Sequence, residues 1–255
     1  MAASDRFHPV KSADRTLAVL EALARSPGRR GLNELARELG IPKSSLHAIL
    51  RTMNRRGWVE ADAGDVRFGL GVRALQVGAA YVAADDTVAL LDGALDELAA
   101  LFGETVHLGR LDGGDVVYLA KRESVHPLRL FSAIGRRLPA HATALGKALL
   151  AQRPPDDVAR RLADPLPALT AHTVTDAAAL AAELAAVRAQ GHAVDREENT
   201  PGIVCFAVAV PLRQPARDAI SLSAPVSRVD RGTADAMTAA LRAVAARLAA
   251  ARPLL

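Results

Sequence analysis

A chain of 255 residues, half of them hydrophobic but only 3% aromatic, has material for one large or two modest domains built on Ala, Leu and Val. Its single cysteine excludes an internal disulfide framework, and the opening MAASDRFHPV lacks an apolar stretch of signal-peptide length. The longest apolar run, Ile203 to Leu212, is too short to span a bilayer, so a soluble cytoplasmic protein with no membrane partner is expected. The net charge of +4 is unevenly spread. Residues 1–60 carry 11 Lys/Arg against 6 Asp/Glu, and the remainder carry 21 against 22. Such asymmetry points to a polyanion at one end, nucleic acid first, with a solvated basic face as the alternative.

Residues 12–25, SADRTLAVLEALAR, predict a helix with Ser12 as N-cap, Asp14 in the first turn and Leu17, Leu20 and Leu23 on one face. Ser26-Pro27-Gly28 ends it. A short helix, LNELARELG, closes at Gly40, and Pro42 opens a third, PKSSLHAILRTMNRRG, ending at Gly57. Small Ala36 sits where two helices approach, Gly40 where the chain turns tightly, and Leu46 and Ile49 where the third helix meets the second. This is the helix-turn-helix spacing. Lys43, Ser44, Ser45, His47, Arg51, Arg55 and Arg56 take the exposed side, and residues 43–56 contain no acid. Ser and Lys near the helix start suit base edges and phosphates, and the later arginines suit the DNA backbone. Trp58–Glu60 and Val66–Leu70 predict two strands around the turn Asp62–Asp65, a β-wing from which Arg67 is placed to reach a phosphate. Trp58 is read as a core anchor. The unit is a winged helix-turn-helix, mainly α with a small β wing.

Residues 72–84, VRALQVGAAYVAA, predict an apolar linker helix with Val72, Leu75 and Ala79 on one stripe, of the kind that carries dimer contacts. Next come an amphipathic helix over Thr87–Phe102 with Leu90, Leu91, Leu95, Leu98 and Leu101, and a hairpin of Glu104–Arg110 and Val116–Lys121. Leu128–Ser132 predicts a short strand, Ala142–Ala151 a helix entered through His141, and Ala177–Gln190 a helix ended by Gly191. His192–Asp195, Ile203–Pro211 and Asp218–Ala224 predict strands, and Asp230–Arg252 a terminal helix. The economical reading is an α+β sensor-like domain, an antiparallel sheet flanked by helices. The expected division is a flexible tail (1–10), a winged helix-turn-helix (11–71), a linker helix (72–86) and a sensor domain (87–255). The seven histidines show no metal-ligand spacing and no Walker-type loop occurs, so no metal and no cofactor are expected.

Three stretches carry a family resemblance: VKSADRTLAVLEAL leading into LNELARELGIPKSSLHAILRTM; GRRLPAHATALGKALLA; and GHAVDREENTPGIVCFAVAVP followed by AISLSAPVSR. Over roughly residues 10–252 the chain resembles the IclR family of bacterial transcription regulators. The resemblance implies a winged-helix DNA-binding domain, a linker helix and a GAF-like effector domain. It also implies homodimers or dimers of dimers on double-stranded operator DNA that respond to small organic acids. Family pocket positions, carried over by motif, fall on Leu130, Ala144, Leu145, Asp195, Ile203, Cys205, Ser221 and Ser223. One departure is Ala224, where the family often has glycine, which is expected to narrow the pocket rim.

Local patterns agree. Ser221 and Ser223 are two apart on a strand and share a face, as do Ile203 and Cys205 on its neighbour. The start of the HATALGKALL helix is expected to offer free backbone N–H groups at Thr143, Ala144 and Leu145, a setting for a carboxylate. Leu130 and Ile203 supply apolar walls, and the serine hydroxyls complete the donors. The blander alternatives are serines satisfied within the sheet, and Asp195 capping the following turn with Glu197 and Glu198 solvated. The expected function is a DNA-binding regulator controlled by a small carboxylate or aromatic acid. Two alternatives stay open: a cysteine-dependent enzyme using Cys205, and a DNA-binding dimer without a ligand.

Overall fold

The computed structural model describes residues 9–64, 66–130 and 132–251. Residues 1–8 of the expected tail, Asp65 of the wing turn, Phe131 of the expected strand and Arg252 of the terminal helix lie outside them. The chain divides into one unit ending at Ala84 and a second beginning at Asp85.

The first unit runs α1 (Lys11–Ala24), β1 (Arg30–Gly31), α2 (Leu32–Leu39), α3 (Lys43–Arg55), β2 (Val59–Ala61), β3 (Arg67–Leu70) and α4 (Val72–Ala83). Its antiparallel sheet has the order β1-β3-β2, so the wing gains a strand that periodicity did not reveal. Helix α1 starts one residue before the expected Ser12 cap. Val10 takes the N-cap position, and its carbonyl accepts from Asp14 N at 3.0 Å. Leu17 is 60% exposed and the buried face is Val19, Ala22 and Leu23. At about 100° per residue, Leu17 and Leu23 stand roughly 120° apart, so they could not share a stripe. Between α2 and α3, Gly40 adopts φ 62°, the left-handed turn for which glycine has no steric penalty. Leu46, Leu50 and Met53 then seat α3 on a core with Leu35, Ala36, Val59 and Phe68, against which Ile49 and Trp58 lie half-buried.

The second unit contains α5 (Asp86–Phe102), β4 (Thr105–Asp112), β5 (Asp115–Arg122), β6 (Arg137–Pro139), α6 (Ala144–Leu150) and α7 (Pro155–Arg161). It continues with α8 (Ala177–Gln190), β7 (Ala193–Arg196), β8 (Ile203–Ala209), β9 (Asp218–Pro225) and α9 (Arg231–Ala250). The six strands form one antiparallel sheet, β6-β5-β4-β9-β8-β7. Alternation sends their side chains into two cores. On one face, Leu91, Leu95 and Leu98 of α5 and Met237, Leu241 and Val244 of α9 cover Val106, Leu108, Phe206 and Ile220. On the other, Leu145 and Leu149 of α6 and Leu180, Leu184 and Val187 of α8 cover Tyr118, Val116 and Ala207. Of the five leucines expected to pack α5, Leu90 and Leu101 are exposed.

Two predicted elements differ. Residues 128–130 and Ser132 form no strand; the edge strand is β6. Side chains hold the segment instead: Arg228 Nη2 donates to Leu128 O at 2.9 Å, and Lys121 Nζ to Ser132 O at 2.5 Å. The helix expected from Ala142 starts at Ala144, because a 3-10 turn, Ala140–Ala142, precedes it and Thr143 caps it. Helix α7, seven residues with Val158 alone buried, is too short to show a period in the sequence. Among the described residues, no single helix is long and apolar enough to cross a membrane.

Candidate functional site

A cavity lies between α6 and the sheet, with about 320 Å³ of atom-free space, its open mouth included. Leu130, Ala144, Leu145, Asp195, Ile203, Cys205, Ser221 and Ser223 all line it. Sheet register brings the last five together. Ile203 and Cys205, and likewise Ser221 and Ser223, are spaced by two and share the α6 face. Cys205 pairs with Ser223 on one side and with Asp195 on the other. Ala224 points the opposite way, into the core with Val204 and Leu222, so its methyl group narrows no rim.

Thr143, expected at the helix start, lines the cavity too, and so do Tyr118, Leu138, Asn199 and Thr200, which no local pattern in the sequence assigns to it. For Tyr118 a signal exists: it stands two residues from Val116 along a predicted strand, and the two share the α6-side core, whereas a register shift turns Ala120 to the other core. Leu138 and the Asn199–Thr200 turn arrive by tertiary folding and left no local pattern. The start of α6 is more occupied than expected. Thr143 N donates to Ala140 O at 3.4 Å, and Thr143 Oγ1 accepts from Gly146 N at 3.0 Å. The N–H groups of Ala144 and Leu145 remain in the first turn, where no i−4 acceptor exists within the helix.

Asp195 is buried, and its Oδ1 accepts from Glu198 N at 2.7 Å and Asn199 N at 3.4 Å. It therefore caps the following turn and lines the cavity at once. Burial raises its carboxyl to about 7, despite the opposing effect of the Glu198 N–H bond. Glu198 is buried rather than solvated. Its Oε1 accepts from Lys147 Nζ at 2.6 Å, and Lys147, itself fully buried, donates also to Glu183 Oε1 at 2.5 Å. Burial, with the Asp195 carboxyl beside it, pushes the Cys205 thiol far up. A nucleophilic cysteine needs the reverse shift.

Under the same sheet face, His107 is fully buried. Its Nε2 lies 2.7 Å from Ser132 Oγ, and its ring stacks on Tyr118 with centroids 4.3 Å apart. Burial first, then the Lys121 and Arg136 cations, lowers it to about 3, so it is neutral at pH 7. His141 is a structural residue, with Nε2 3.0 Å from Pro167 O. Among the described residues, no three His, Cys, Asp or Glu side chains converge as metal ligands would.

In the first unit, Lys43, Ser44, Arg51 and Arg55 are exposed on α3, with Ser45 and His47 half-exposed. Lys43, His47, Arg51 and Arg55 recur every four residues, a row that starts beside the buried Leu46, Leu50 and Met53 and winds away from them along the helix. Arg67 is exposed on β3, with one N–H donated to Arg29 O at 3.0 Å.

Residues 12–63 match the IclR helix-turn-helix domain, and residues 79–250 match the domain described as bacterial transcriptional regulator IclR C-terminal. The HTH-type transcriptional regulator BhcR of Paracoccus denitrificans is 36% identical over 234 residues, 91% of this chain and 84% of the relative. The transcriptional repressor IclR of Escherichia coli is 34% identical over 225 residues, 86% of this chain and 82% of the relative. Among solved structures, an IclR transcriptional regulator from Alicyclobacillus acidocaldarius superposes with a TM-score of 0.84 at 28% identity, covering 95% of this chain and 99% of that one.

Proposed function

Because this chain belongs to the IclR family of DNA-binding bacterial transcriptional regulators, we propose that it controls an operator in response to a small carboxylate or aromatic acid held in the α6 cavity. The observation that carries this reading is the convergence of Asp195, Cys205, Ser221 and Ser223, from three strands, on one cavity beside the first turn of α6. The chemistry suits a small acid. Hydroxyl donors and the Ala144 and Leu145 N–H groups face a carboxylate, and Leu130 and Ile203 take the apolar part. Asp195, half-protonated near neutrality, can itself donate to an anion.

Operator contact falls to Lys43, Ser44, Ser45, His47, Arg51 and Arg55 of α3, with Arg67 reaching a phosphate from the wing. A homodimer, or a dimer of dimers, supplies the paired half-sites. Its support is α4, where every residue is at least partly exposed and Val72, Leu75, Val77 and Tyr81 present apolar surface. Effector binding then biases the spacing of two winged helices, by as much as its affinity differs between the two arrangements.

The test is calorimetry with a panel of short and aromatic carboxylates, paired with gel shifts on the DNA upstream of the gene. Ser221→Ala with Ser223→Ala is expected to abolish acid binding while leaving the DNA shift intact. Unchanged acid affinity in that double variant refutes the assignment of the cavity.

A further inference from the structure

Beside the cavity, one strand beyond the residues that line it, two buried polar atoms have no partner among the described residues. Thr105 and His107 lie on β4, and the antiparallel register sets Thr105 opposite Ser223 and His107 opposite Ser221. Direct partners across a ladder share a face, so both side chains turn toward the α6 side, one strand (about 4.8 Å) beside the two cavity serines. Both residues are 0% exposed. Thr105 Oγ1 and His107 Nδ1 are buried with no hydrogen-bond partner among the described residues. Buried polar atoms are nearly always satisfied, and leaving one bare costs stability. A valine and a phenylalanine would pack the same space without that penalty.

The His107 ring is fixed by two contacts. Nε2 meets Ser132 Oγ, whose residue is anchored a second time by Lys121 Nζ on its carbonyl. One face of the ring stacks on Tyr118, which lines the cavity. The free nitrogen is thereby fixed in position before anything binds.

We propose that Thr105 and His107 form a second polar pole of the effector cavity, which hydrogen-bonds an oxygen of the ligand other than its carboxylate and so sets specificity. This rests on the effector reading above. A neutral imidazole has one donor and one acceptor nitrogen, and a hydroxyl group can serve either tautomer. An alkyl group at the same place leaves both atoms bare. The pole therefore favours a hydroxylated acid over the plain acid of the same skeleton. One strand's width separates it from Ser221 and Ser223, a span of a few carbon atoms.

Calorimetry on the full chain decides this with matched pairs: butanoate against 4-hydroxybutanoate, and benzoate against 3- and 4-hydroxybenzoate. The parent chain is expected to prefer a hydroxylated member in at least one series. Thr105→Val, which keeps shape and removes only the hydroxyl, is expected to cut that preference by about tenfold, the worth of one good hydrogen bond. His107→Phe is expected to do the same. Affinity for the plain acid should stay within about twofold in both variants. Thermal melting checks the fold, and Thr105→Val should melt at the parent temperature or above. Absence of any hydroxyl preference in the parent, or its survival in both variants, overturns the proposal, because an ordered water in the pole would give that result. Those outcomes leave plain-acid binding intact, and with it the effector reading. Binding of no acid at all overturns both.

Discussion

Asp195 on β7 and Cys205 on β8 are direct partners across an antiparallel ladder, and the pair forms one wall of the cavity. The Asp195 carboxyl disfavours the thiolate of Cys205, and burial disfavours the charged form of both. The chain's one cysteine is thereby held as a thiol, a small polarizable wall rather than a nucleophile. In the folded protein its modification by an aromatic disulfide reagent should be slow, and should become fast only in denaturant. Rapid reaction in the native state would contradict this placement. Cys205→Ser should keep operator binding and change only the affinity for the acid.

The same burial makes the protein pH-sensitive in a direction that can be worked out. The Asp195 carboxyl stands near 3.8 in an unfolded chain and about 7 in the folded one. The folded state therefore binds its proton more tightly, and stability falls as pH rises between these values, levelling above about 7. Asp195→Asn, which keeps an acceptor for Glu198 N, should be the more stable protein above pH 7, by up to about 4 kcal/mol at 1.36 kcal/mol per unit. The advantage should shrink toward pH 4. Denaturant melts of both chains across this range provide the check. A carboxylate arriving beside Asp195 should also draw in a proton, visible as a binding enthalpy near pH 7 that depends on the buffer's ionisation heat.

On α3, Lys43, His47, Arg51 and Arg55 follow one another at four-residue spacing along the helix flank beside the buried Leu46, Leu50 and Met53. Arg51→Ala should weaken operator binding and reduce the slope of log affinity against log salt by about 1, the signature of one lost phosphate contact. Ser45→Ala should weaken binding while leaving that slope unchanged. Gel shifts or anisotropy at several salt concentrations distinguish the two.

Gly146, in the first turn of α6, has no room for a side chain. A Cβ there would stand 2.1 Å from Ala140 O and 2.3 Å from Ala140 Cα. Alanine in mid-helix would ordinarily gain about 1 kcal/mol over glycine. Here the clash is with backbone that cannot rotate away, and overpacking of this kind costs about 1–3 kcal/mol or more. Gly146→Ala should therefore lower the melting temperature, and by moving α6 it should weaken acid binding as well.

Local rules made much of this molecule legible. Period-two spacing placed Ser221 with Ser223 and Ile203 with Cys205, and a ladder is all that was needed to complete the wall. Gly40, Gly57 and Gly191 end helices where a positive φ is required, which is why those boundaries were readable. What escaped was non-local. The segment from Leu128 to Ser132 has strand-like composition, yet it is secured by Arg228 and Lys121 side chains, which no window of sequence contains. Glu198 looked solvated because its partner, Lys147, is 51 residues away on a helix that reads as ordinary core. Thr105 and His107 did alternate along a predicted strand, a sign that two polar groups faced one side, but only the folded sheet reveals that side as the cavity's.

The strand order of the larger sheet bears on the timing of synthesis. Strand β4 has β9 as its inner neighbour, and Thr105 waits for Ser223, more than a hundred residues later. The first unit needs nothing beyond Ala84 to close its own core. The helix-turn-helix core is therefore complete in sequence well before the sheet can be finished, since the sheet's inner pairing joins residues so distant in the chain. The order of the chain thus lets the DNA-binding unit fold ahead of the sensor that controls it.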